Sequence, residues 1–385
     1  MIINEDEMLA TLNNAKNVLL IEPNYHRKYP PMGLMKISTY LKKRGIRVRY
    51  ERNYIPGAYD LICITSLFTF NSKEVIEDIE DIQGGLFPAP IMLGGVLATL
   101  MKGYFDKNYP NIKVFAGYSK VLDVCYPDYD IGYEIPWYTD DISHIFTSRG
   151  CPNNCAYCAV KQMEGDSWII PEWQTLLNDN WHKVMLYDNN FSSLPFEHQK
   201  NVCEYLINNN KEVIIQSGFD CKFIDEQKAE LYGRLTFVHG GCRTAFDRIE
   251  EDGVFQHAIS LLRKNQIAKN NIVVYALINF KETPAQALYR LRELVRMDVR
   301  PYPQLYEPLN KLIRDNPFYD KAHGWNEAIA KTIRHFFLLP NMYKRHDFFD
   351  WIREMGAERP PASLLTEDDI ELMQMKPEMP IRKAM

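Results

Sequence analysis

Three cysteines stand close together in the segment CPNNCAYC, as Cys151, Cys155 and Cys158. Thiolates at this spacing are typical ligands of a soft metal centre. The segment is preceded by Gly150 and contains the turn formers of 152–154, so we expect a loop rather than a helix. A loop can wrap three sulfurs around one metal centre, which a straight helix does less well.

Two kinds of inorganic centre fit three clustered thiols. Structural zinc takes four protein ligands, and the fourth would come from a distant residue such as Cys125, His144 or His182. A four-iron cluster also has four corners, and three thiolates would leave one iron open to a small molecule. Both interpretations stay open on spacing alone.

The composition is typical of a globular protein, with 46% apolar and 25% charged residues in a chain of 385. A net charge of −5 gives no electrostatic basis for a nucleic-acid partner. No run approaches the roughly 20 apolar residues of a membrane span, and the acidic start MIINEDEMLATLNNAKN does not resemble a secretion signal. Eight cysteines, three of them clustered, predict a reduced cytoplasmic protein with a ligand set.

Residues 1–135 alternate between strand-like and helix-like runs. The strand-like runs are NVLLIE, IRVRYE, DLICITSLF and APIMLGG, and the helix-like runs are LMKISTYLKKRG and SKEVIEDIEDI. This alternation predicts an α/β domain with a parallel sheet, a Rossmann-like fold. No G-x-G-x-x-G follows the first strand, so a dinucleotide site is not supported. Gly94 and Gly95 fit either a tight turn or a ligand contact.

Residues 136–309 repeat the alternation with a longer period. The strand-like runs are HIFTS, KVMLYD, EVIIQSG, RLTFVHG, NIVVYALI and PQLYEP, and the helix-like stretches include 195–209, 225–232, 244–264 and 284–296. This pattern predicts a partial (β/α)6 barrel, whose chemistry should collect at the C-terminal ends of the strands. All six ends are polar or glycine-rich here. Residues 310–385 are predicted to form a helical C-terminal extension, whose aromatic residues recur at helical spacing.

The cysteine segment resembles the C-x3-C-x-aromatic-C motif of radical S-adenosylmethionine (SAM) enzymes, with Tyr157 in the aromatic position. The resemblance covers most of the chain. The strand-end segments that resemble the family are DNNF, SGFDCKFID, GGCRTAFDRIEEDGV, LINFKET and YEPL. The N-terminal segments LLIEPNYHRKYPPMGLMKISTYLKKRG and IMLGGVLATL are similar to members with a cobalamin-binding Rossmann domain.

The resemblance implies that the three cysteines hold three irons of one 4Fe–4S cluster and that SAM binds the fourth. Reductive cleavage of SAM would give methionine and a 5′-deoxyadenosyl radical, which removes hydrogen from an unidentified substrate. It also implies an electron donor such as a flavodoxin or ferredoxin. The residues expected to contact SAM are Tyr157, Asp188, Asn189, Asn190, Gln216, Ser217, Asp220, Gly240, Gly241, Arg243 and Ile278.

Several candidate residues at the strand ends could have a purely structural role instead of a role in binding. The Asp-Asn-Asn run at 188–190 could instead cap a helix and form a turn. Arg243 could bind the carboxylate of SAM, or pair with Asp247. Glu282 could hold the fifth strand-end loop together or be an exposed acid. Substrate contact and ordinary packing are likewise both open for Tyr306 and Glu307.

Cobalamin is a further possible cofactor of such a domain. The Asp-x-His-x-x-Gly pattern that supplies an imidazole to cobalt is absent, because Asn24 stands two positions before His26. Two reactions therefore compete: hydrogen abstraction without cobalamin, and methyl transfer through it. No cysteine follows Cys242, so we expect no auxiliary cluster. A non-catalytic zinc-binding or adaptor protein is the alternative from another class.

Overall fold

The chain forms two compact units. The computed structural model describes residues 1–24, 29–86, 88–133, 141–312, 317–356 and 358–379. One unit comprises Met1–Asn189 with Pro308–Asn316, and the other comprises Asn190–Glu307 with Pro317–Met385. None of the helices within the described ranges has the length and apolarity that a membrane span requires.

The first unit begins with a six-stranded sheet. Its strands are β1 (Ile2–Ile3), β2 (Asn17–Ile21), β3 (Arg47–Glu51), β4 (Leu61–Thr65), β5 (Ile91–Gly94) and β6 (Lys113–Phe115). The order across the sheet is β1-β6-β5-β4-β2-β3, and every neighbouring pair is parallel. The α/β class predicted from the sequence is confirmed here.

Helices connect these strands, and apolar side chains fill both sides of the sheet. The helices are α1 (Glu5–Asn14), α2 (Met32–Lys42), α3 (Ser72–Gly84), α4 (Gly95–Leu100), α5 (Lys102–Asn108) and α6 (Lys120–Asp123). Alternate residues of β2 belong to different core clusters: Val18 and Leu20 lie in one, and Leu19 and Ile21 lie in the other. Both faces of the sheet are therefore buried, as a parallel sheet requires.

The first unit continues with the segment that carries the cysteines. Its elements are β7 (Ile142–Ile145), β8 (Ser148–Arg149), α7 (Val160–Glu164), β9 (Trp168–Ile169) and β10 (Lys183–Leu186). Strand β10 pairs in parallel with β7, and β8 pairs antiparallel with β9. The predicted strand HIFTS is thus divided at residues 146–147, and the cysteine loop follows β8.

The second unit contains further β/α alternation. Its elements are α8 (Phe196–Asn208), β11 (Glu212–Ile215), α9 (Glu226–Gly233), β12 (Thr236–Phe237), β13 (Cys242–Ala245), α10 (Val254–Lys264), β14 (Ile272–Ile278), α11 (Pro284–Arg296) and β15 (Arg300–Leu305). Strand β11 pairs in parallel with β12, and β14 lies between β13 and β15, parallel to both.

The described α-helices in the C-terminal part of this unit lie between residues 327 and 374. Its elements are α12 (Glu327–Leu338), α13 (Pro340–Tyr343), α14 (Phe348–Trp351), a π-helical turn (Ile352–Gly356) and α15 (Glu367–Gln374). Phe336, Phe348 and Trp351 pack their rings against one another and are buried. These aromatic residues therefore build a core.

The helix predicted over 244–264 was wrong in its first half. Residues Cys242–Ala245 form strand β13, and the helix begins only at Val254, after Gly253 with a φ of 87°. The strand forms because its backbone pairs with β14, a tertiary contact that local sequence does not report. Arg243 consequently lies within a strand instead of in the loop that follows one.

Candidate metal and cofactor site

The three cysteines lie on a loop, as predicted. Residues 151–158 belong to neither helix nor strand and connect β8 with α7. The backbone N–H of Cys151 donates to the carbonyl oxygen of Gly165 at 3.2 Å, and that of Cys158 donates to the carbonyl oxygen of Cys155 at 3.0 Å. The first bond joins the start of the loop to the residue that follows α7. The second forms a turn between Cys155 and Cys158.

The three cysteines supply thiol groups, the donor type that both zinc and iron–sulfur centres take. All eight cysteines are thiols outside any disulfide. Cys151 is buried, Cys155 is half-buried and Cys158 is exposed. As placed, the three thiols are not gathered at one point: within the described ranges, no three side chains of His, Cys, Asp or Glu form a group that could hold a metal ion. The residue types of the loop therefore suit a soft metal centre, whereas their placement does not bring the three sulfurs together.

Gly150 shapes the entry to the loop. Its φ is 76°, a left-handed conformation that glycine adopts without penalty. A Cβ at this position would lie 2.2 Å from the carbonyl oxygen of Asp166. Both the backbone angle and this close approach require glycine immediately before Cys151.

The carboxylate of Glu164 joins three parts of the first unit. Its Oε2 atom accepts hydrogen bonds from the backbone N–H of Gly150 at 2.9 Å and from Nδ2 of Asn189 at 2.7 Å. Its Oε1 atom accepts from Arg149 at 3.3 Å. The Glu164 side chain is 8% exposed. One buried carboxylate therefore holds both ends of the cysteine loop and the end of β10.

Arg149 continues this contact into a buried chain of charges. Its guanidinium donates to Asp123 at 2.7 and 2.9 Å, and Asp123 also accepts from Lys36 of α2 at 2.9 Å. Burial opposes ionisation of Asp123, but Arg149 and Lys36 hold its pKa below the ordinary value. Burial lowers the pKa of Lys36, and Asp123 partly offsets this. The chain links α2 to the cysteine loop.

Asp188 lies at the end of β10 and is 1% exposed. Its carboxylate accepts from the backbone N–H of Thr147 at 3.2 Å, from the Thr147 hydroxyl at 2.7 Å and from the Ser148 hydroxyl at 2.6 Å. These are bonds to the segment that enters the cysteine loop. Asn189, the next residue, is half-buried and donates to Glu164. Both predicted SAM contacts therefore bind the protein's own chain at these atoms.

In the second unit, two strand-end segments are joined through Asn190 and Asp220. The Nδ2 atom of Asn190 donates to Asp220 at 3.0 Å. Ser192 accepts from the backbone N–H of Asp220 at 2.8 Å, and Lys222 lies 3.7 Å from the Asp220 carboxylate. These polar residues thus bring the segment before α8 against the end of β11.

Arg243 of β13 is half-buried, and neutral groups hold its guanidinium. It donates to the side-chain oxygen of Gln216, to the hydroxyl of Tyr275 at 3.0 Å and to the carbonyl oxygen of Gly240 at 3.5 Å. The alternative partner, Asp247, instead accepts from the backbone N–H of Leu277 at 2.8 Å. Within the described residues Arg243 makes no ion pair.

The other predicted contacts have varied surroundings. Tyr157 is half-buried and Ser217 is exposed. Ile278 is fully buried at the end of β14, so its side chain belongs to the core. Gly240 has a φ of 70°, whereas a Cβ on Gly241 would lie 2.5 Å from the carbonyl oxygen of Val213. This close approach of the backbone is sufficient to explain why residue 241 is glycine.

Glu282 holds the fifth strand-end loop, as one of its two interpretations expected. It forms a buried ion pair with Arg290 at 2.5 Å, and its carbonyl oxygen accepts from the indole N–H of Trp325 at 2.6 Å. Tyr306 packs its ring between Phe280 and Phe318, with centroids 4.4 and 5.7 Å away. These contacts order the ends of β14 and β15.

The glycine pair at the end of β5 forms a turn. Gly95 has a φ of 86° and begins α4, and a Cβ there would lie 2.3 Å from the Thr65 hydroxyl. The positive φ and the nearby Thr65 hydroxyl therefore explain why residue 95 is glycine. His26 lies outside the described residues.

The residues proposed as a fourth zinc ligand lie in separate surroundings. His144 is buried, with Nδ1 3.1 Å from the Tyr187 hydroxyl, and burial lowers its pKa to about 4. His182 is exposed and lies 3.0 Å from Asp141. The thiol of Cys125 donates to the carbonyl oxygen of Val121 at 3.5 Å.

Sequence reasoning missed Glu164, Arg149 and Tyr275. Their roles depend on partners distant in sequence: Glu164 contacts Asn189, and Tyr275 contacts Arg243. An acid shortly after a cysteine motif is too common to single out without those partners. No protein-family model matches this chain, and no curated protein matches its sequence.

Proposed function

We propose that this protein is a radical SAM enzyme, which cleaves SAM reductively and uses the resulting 5′-deoxyadenosyl radical to remove hydrogen from a substrate. The observation that carries the proposal is the C-x3-C-x2-C segment on a loop held near the ends of parallel strands. The same proposal includes a Rossmann-like N-terminal domain and a partial (β/α)6 barrel as the finer description of the α/β fold.

Cys151, Cys155 and Cys158 would hold a 4Fe–4S cluster. When bound, such a cluster supplies the single electron that breaks the sulfonium bond of SAM. The protein's own contribution is to bind and orient SAM and to exclude water. The buried contacts of Glu164 and Arg149 support this, because they hold the ligand loop in one place.

Arg243 is the best candidate for binding the carboxylate of SAM. A guanidinium can bind a carboxylate through two hydrogen bonds, and the described partners of Arg243 are all neutral. Gln216 and Tyr275 would then orient the guanidinium without neutralising it. Asp188 and Asn189 are weaker candidates, since several of their polar atoms already bind Thr147, Ser148 and Glu164.

We further propose a cytoplasmic protein that receives electrons from a flavodoxin or ferredoxin. Hydrogen abstraction is the leading reaction, and methyl transfer through cobalamin is the alternative, based on the parallel six-stranded sheet. Corrin absorbance retained after reconstitution with cobalamin would favour methyl transfer. Persistent absence of that absorbance would exclude methyl transfer through cobalamin.

The test is anaerobic reconstitution with iron and sulfide, followed by incubation with SAM and dithionite. We expect about four irons and four sulfides per chain, and formation of 5′-deoxyadenosine and methionine. Alanine at Cys151, Cys155 or Cys158 should abolish both products. Cys125→Ser is the matched control, since Cys125 is a half-buried cysteine outside the motif. Zinc without labile sulfide in the wild-type protein would refute the proposal and favour the zinc-binding alternative.

A further inference from the structure

Both ends of the cysteine loop are tied to two consecutive residues at the end of β10. Asp188 binds the entering end, through Thr147 and Ser148. Asn189 binds the leaving end, through the carboxylate of Glu164. The loop is therefore anchored to a strand that pairs with β7.

These anchoring contacts are buried and charge-assisted. Asp188 is 1% exposed and Thr147 is fully buried. The Oε2 atom of Glu164 accepts from two donors, Gly150 and Asn189, at under 3 Å. Hydrogen bonds to an ionised group are stronger than those between neutral groups, and burial removes the competition from water.

The other carboxylate oxygen of Glu164, Oε1, also accepts a hydrogen bond. Arg149 binds it at 3.3 Å and at the same time binds Asp123 with two shorter bonds. The face of the Phe146 ring lies 3.5 Å from the Arg149 guanidinium. Glu164 cannot move without breaking contacts to two segments of the first unit, residues 149–150 and Asn189.

We propose that Glu164 and Asn189, together with Asp188, are positioning residues that fix the cysteine loop for ligand binding. This role rests on the proposed function for its purpose, and it differs from the SAM contacts expected at 188 and 189. Glu164 acts through Gly150, whose backbone N–H it binds immediately before Cys151. This bond fixes the backbone at the entry to the loop before any cluster is inserted.

The first test is amide hydrogen exchange of the full-length apo-protein, followed by mass spectrometry of peptides spanning residues 147–165. In Glu164→Gln, one carboxylate oxygen becomes an NH2 group that cannot accept. We expect exchange at Gly150 and Cys151 to speed up about tenfold or more, the loss expected for one charge-assisted hydrogen bond. Glu172→Gln is the control, because Glu172 is an exposed acid on the following connection.

A reversed pair gives the second test. Asn189→Asp places two carboxylates face to face, so exchange in the loop should also accelerate. In the double variant Glu164→Gln/Asn189→Asp, the amide nitrogen that donates to the new carboxylate takes the place of Oε2. The backbone N–H of Gly150 then has no acceptor at that position, so its exchange should stay fast. Wild-type exchange rates in Glu164→Gln, with circular dichroism confirming an intact fold, would overturn the proposal.

Iron and sulfide content after reconstitution separates this proposal from the proposed function. If wild-type protein binds the cluster, Glu164→Gln should retain at most half of that iron after gel filtration, whereas Glu172→Gln should match wild type. Equal retention in all three would overturn the positioning role even though the enzyme proposal stands. If the wild-type protein binds no cluster, the proposed function fails; accelerated exchange in Glu164→Gln would then support loop anchoring alone.

Discussion

The buried ion pair between Glu282 and Arg290 should dominate the stability of the second unit. Arg290 is fully buried and donates to both oxygens of Glu282, at 2.5 and 3.1 Å. It also donates to the carbonyl oxygen of Leu277 at 2.6 Å and to that of Phe246. One side chain therefore binds the residue that follows β13, strand β14 and the loop that precedes α11.

The size of the effect follows from what each substitution leaves unpaired. Glu282→Gln leaves a buried guanidinium without its counter-ion, which should lower the free energy of unfolding by about 3–5 kcal/mol. Arg290→Met leaves a buried carboxylate and also two carbonyl oxygens without donors, each costing about 1–3 kcal/mol. We therefore expect Arg290→Met to be the more damaging substitution. The double variant Arg290→Met/Glu282→Gln should be more stable than Arg290→Met, because it removes the unpaired charge.

The pH dependence of Arg290→Met has a definite sign. Burial raises the pKa of Glu282, and Arg290 offsets this in the wild-type protein. Without Arg290 the pKa of Glu282 should rise further, so the folded state keeps a proton that the unfolded state releases above about pH 4.5. Since the pKa of Glu282 is already raised to about 7 in the wild-type protein, the stability of Arg290→Met should fall relative to wild type as the pH rises above about 7.

Urea denaturation followed by circular dichroism measures these differences. The control is Glu327→Gln, which removes one partner of an exposed ion pair with Lys331 and should leave the unfolding midpoint unchanged. A cost below 1 kcal/mol for Glu282→Gln would refute the reasoning. A double variant less stable than Arg290→Met would do the same, because the remaining carboxylate would then not be an unfavourable buried charge.

Three further predictions concern the first unit and Arg243. The pKa of His144 is lowered to about 4 by burial, so the unfolded state binds the extra proton first as the pH falls from about 6.5 to 4. Wild type should lose up to about 3 kcal/mol of stability across this range relative to His144→Gln, measured by urea denaturation. Gly150→Ala should lower the melting temperature more than Gly165→Ala, since both have positive φ but only the Gly150 position meets a backbone oxygen. Arg243→Lys should weaken SAM binding about tenfold or more in equilibrium dialysis, because lysine cannot form the two-point contact.

Each of these predictions has a result that would contradict it. Parallel pH profiles for wild type and His144→Gln would mean that His144 is not buried in its neutral form. Equal melting temperatures for the two glycine variants would mean that the approach of Asp166 to residue 150 does not constrain the entry to the loop. Unchanged SAM affinity in Arg243→Lys would remove Arg243 from the proposed cofactor contacts.

Local sequence was informative where local contacts build the element. The helix predicted over 284–296 is observed as Pro284–Arg296, because Thr283 caps it, Gln286 completes a capping box and proline occupies its first turn. The cysteine loop was predicted from turn formers that act within a few residues. Helix capping and turn formation depend on near neighbours, so they can be predicted without knowing the fold.

Local sequence was misleading where a distant partner decides. Residues 244 and 245 were predicted to begin a helix, yet they belong to strand β13 because β14 offers a paired edge. The family resemblance places cofactor contacts at Asp188 and Asn189. In the structure, the Asp188 carboxylate accepts hydrogen bonds from Thr147 and Ser148, and the Asn189 amide donates one to Glu164. Neither result follows from residues nearby in the chain.

The order of residues alone determined that soft ligands cluster on a loop within an α/β protein, because ligand spacing and strand–helix alternation are written in consecutive positions. Only the tertiary structure decided which side chains hold that loop. Glu164, Arg149 and Asp123 come together from three separate segments, and burial makes their mutual contacts strong. That arrangement depends on chain folding, which brings together charges that the sequence keeps apart.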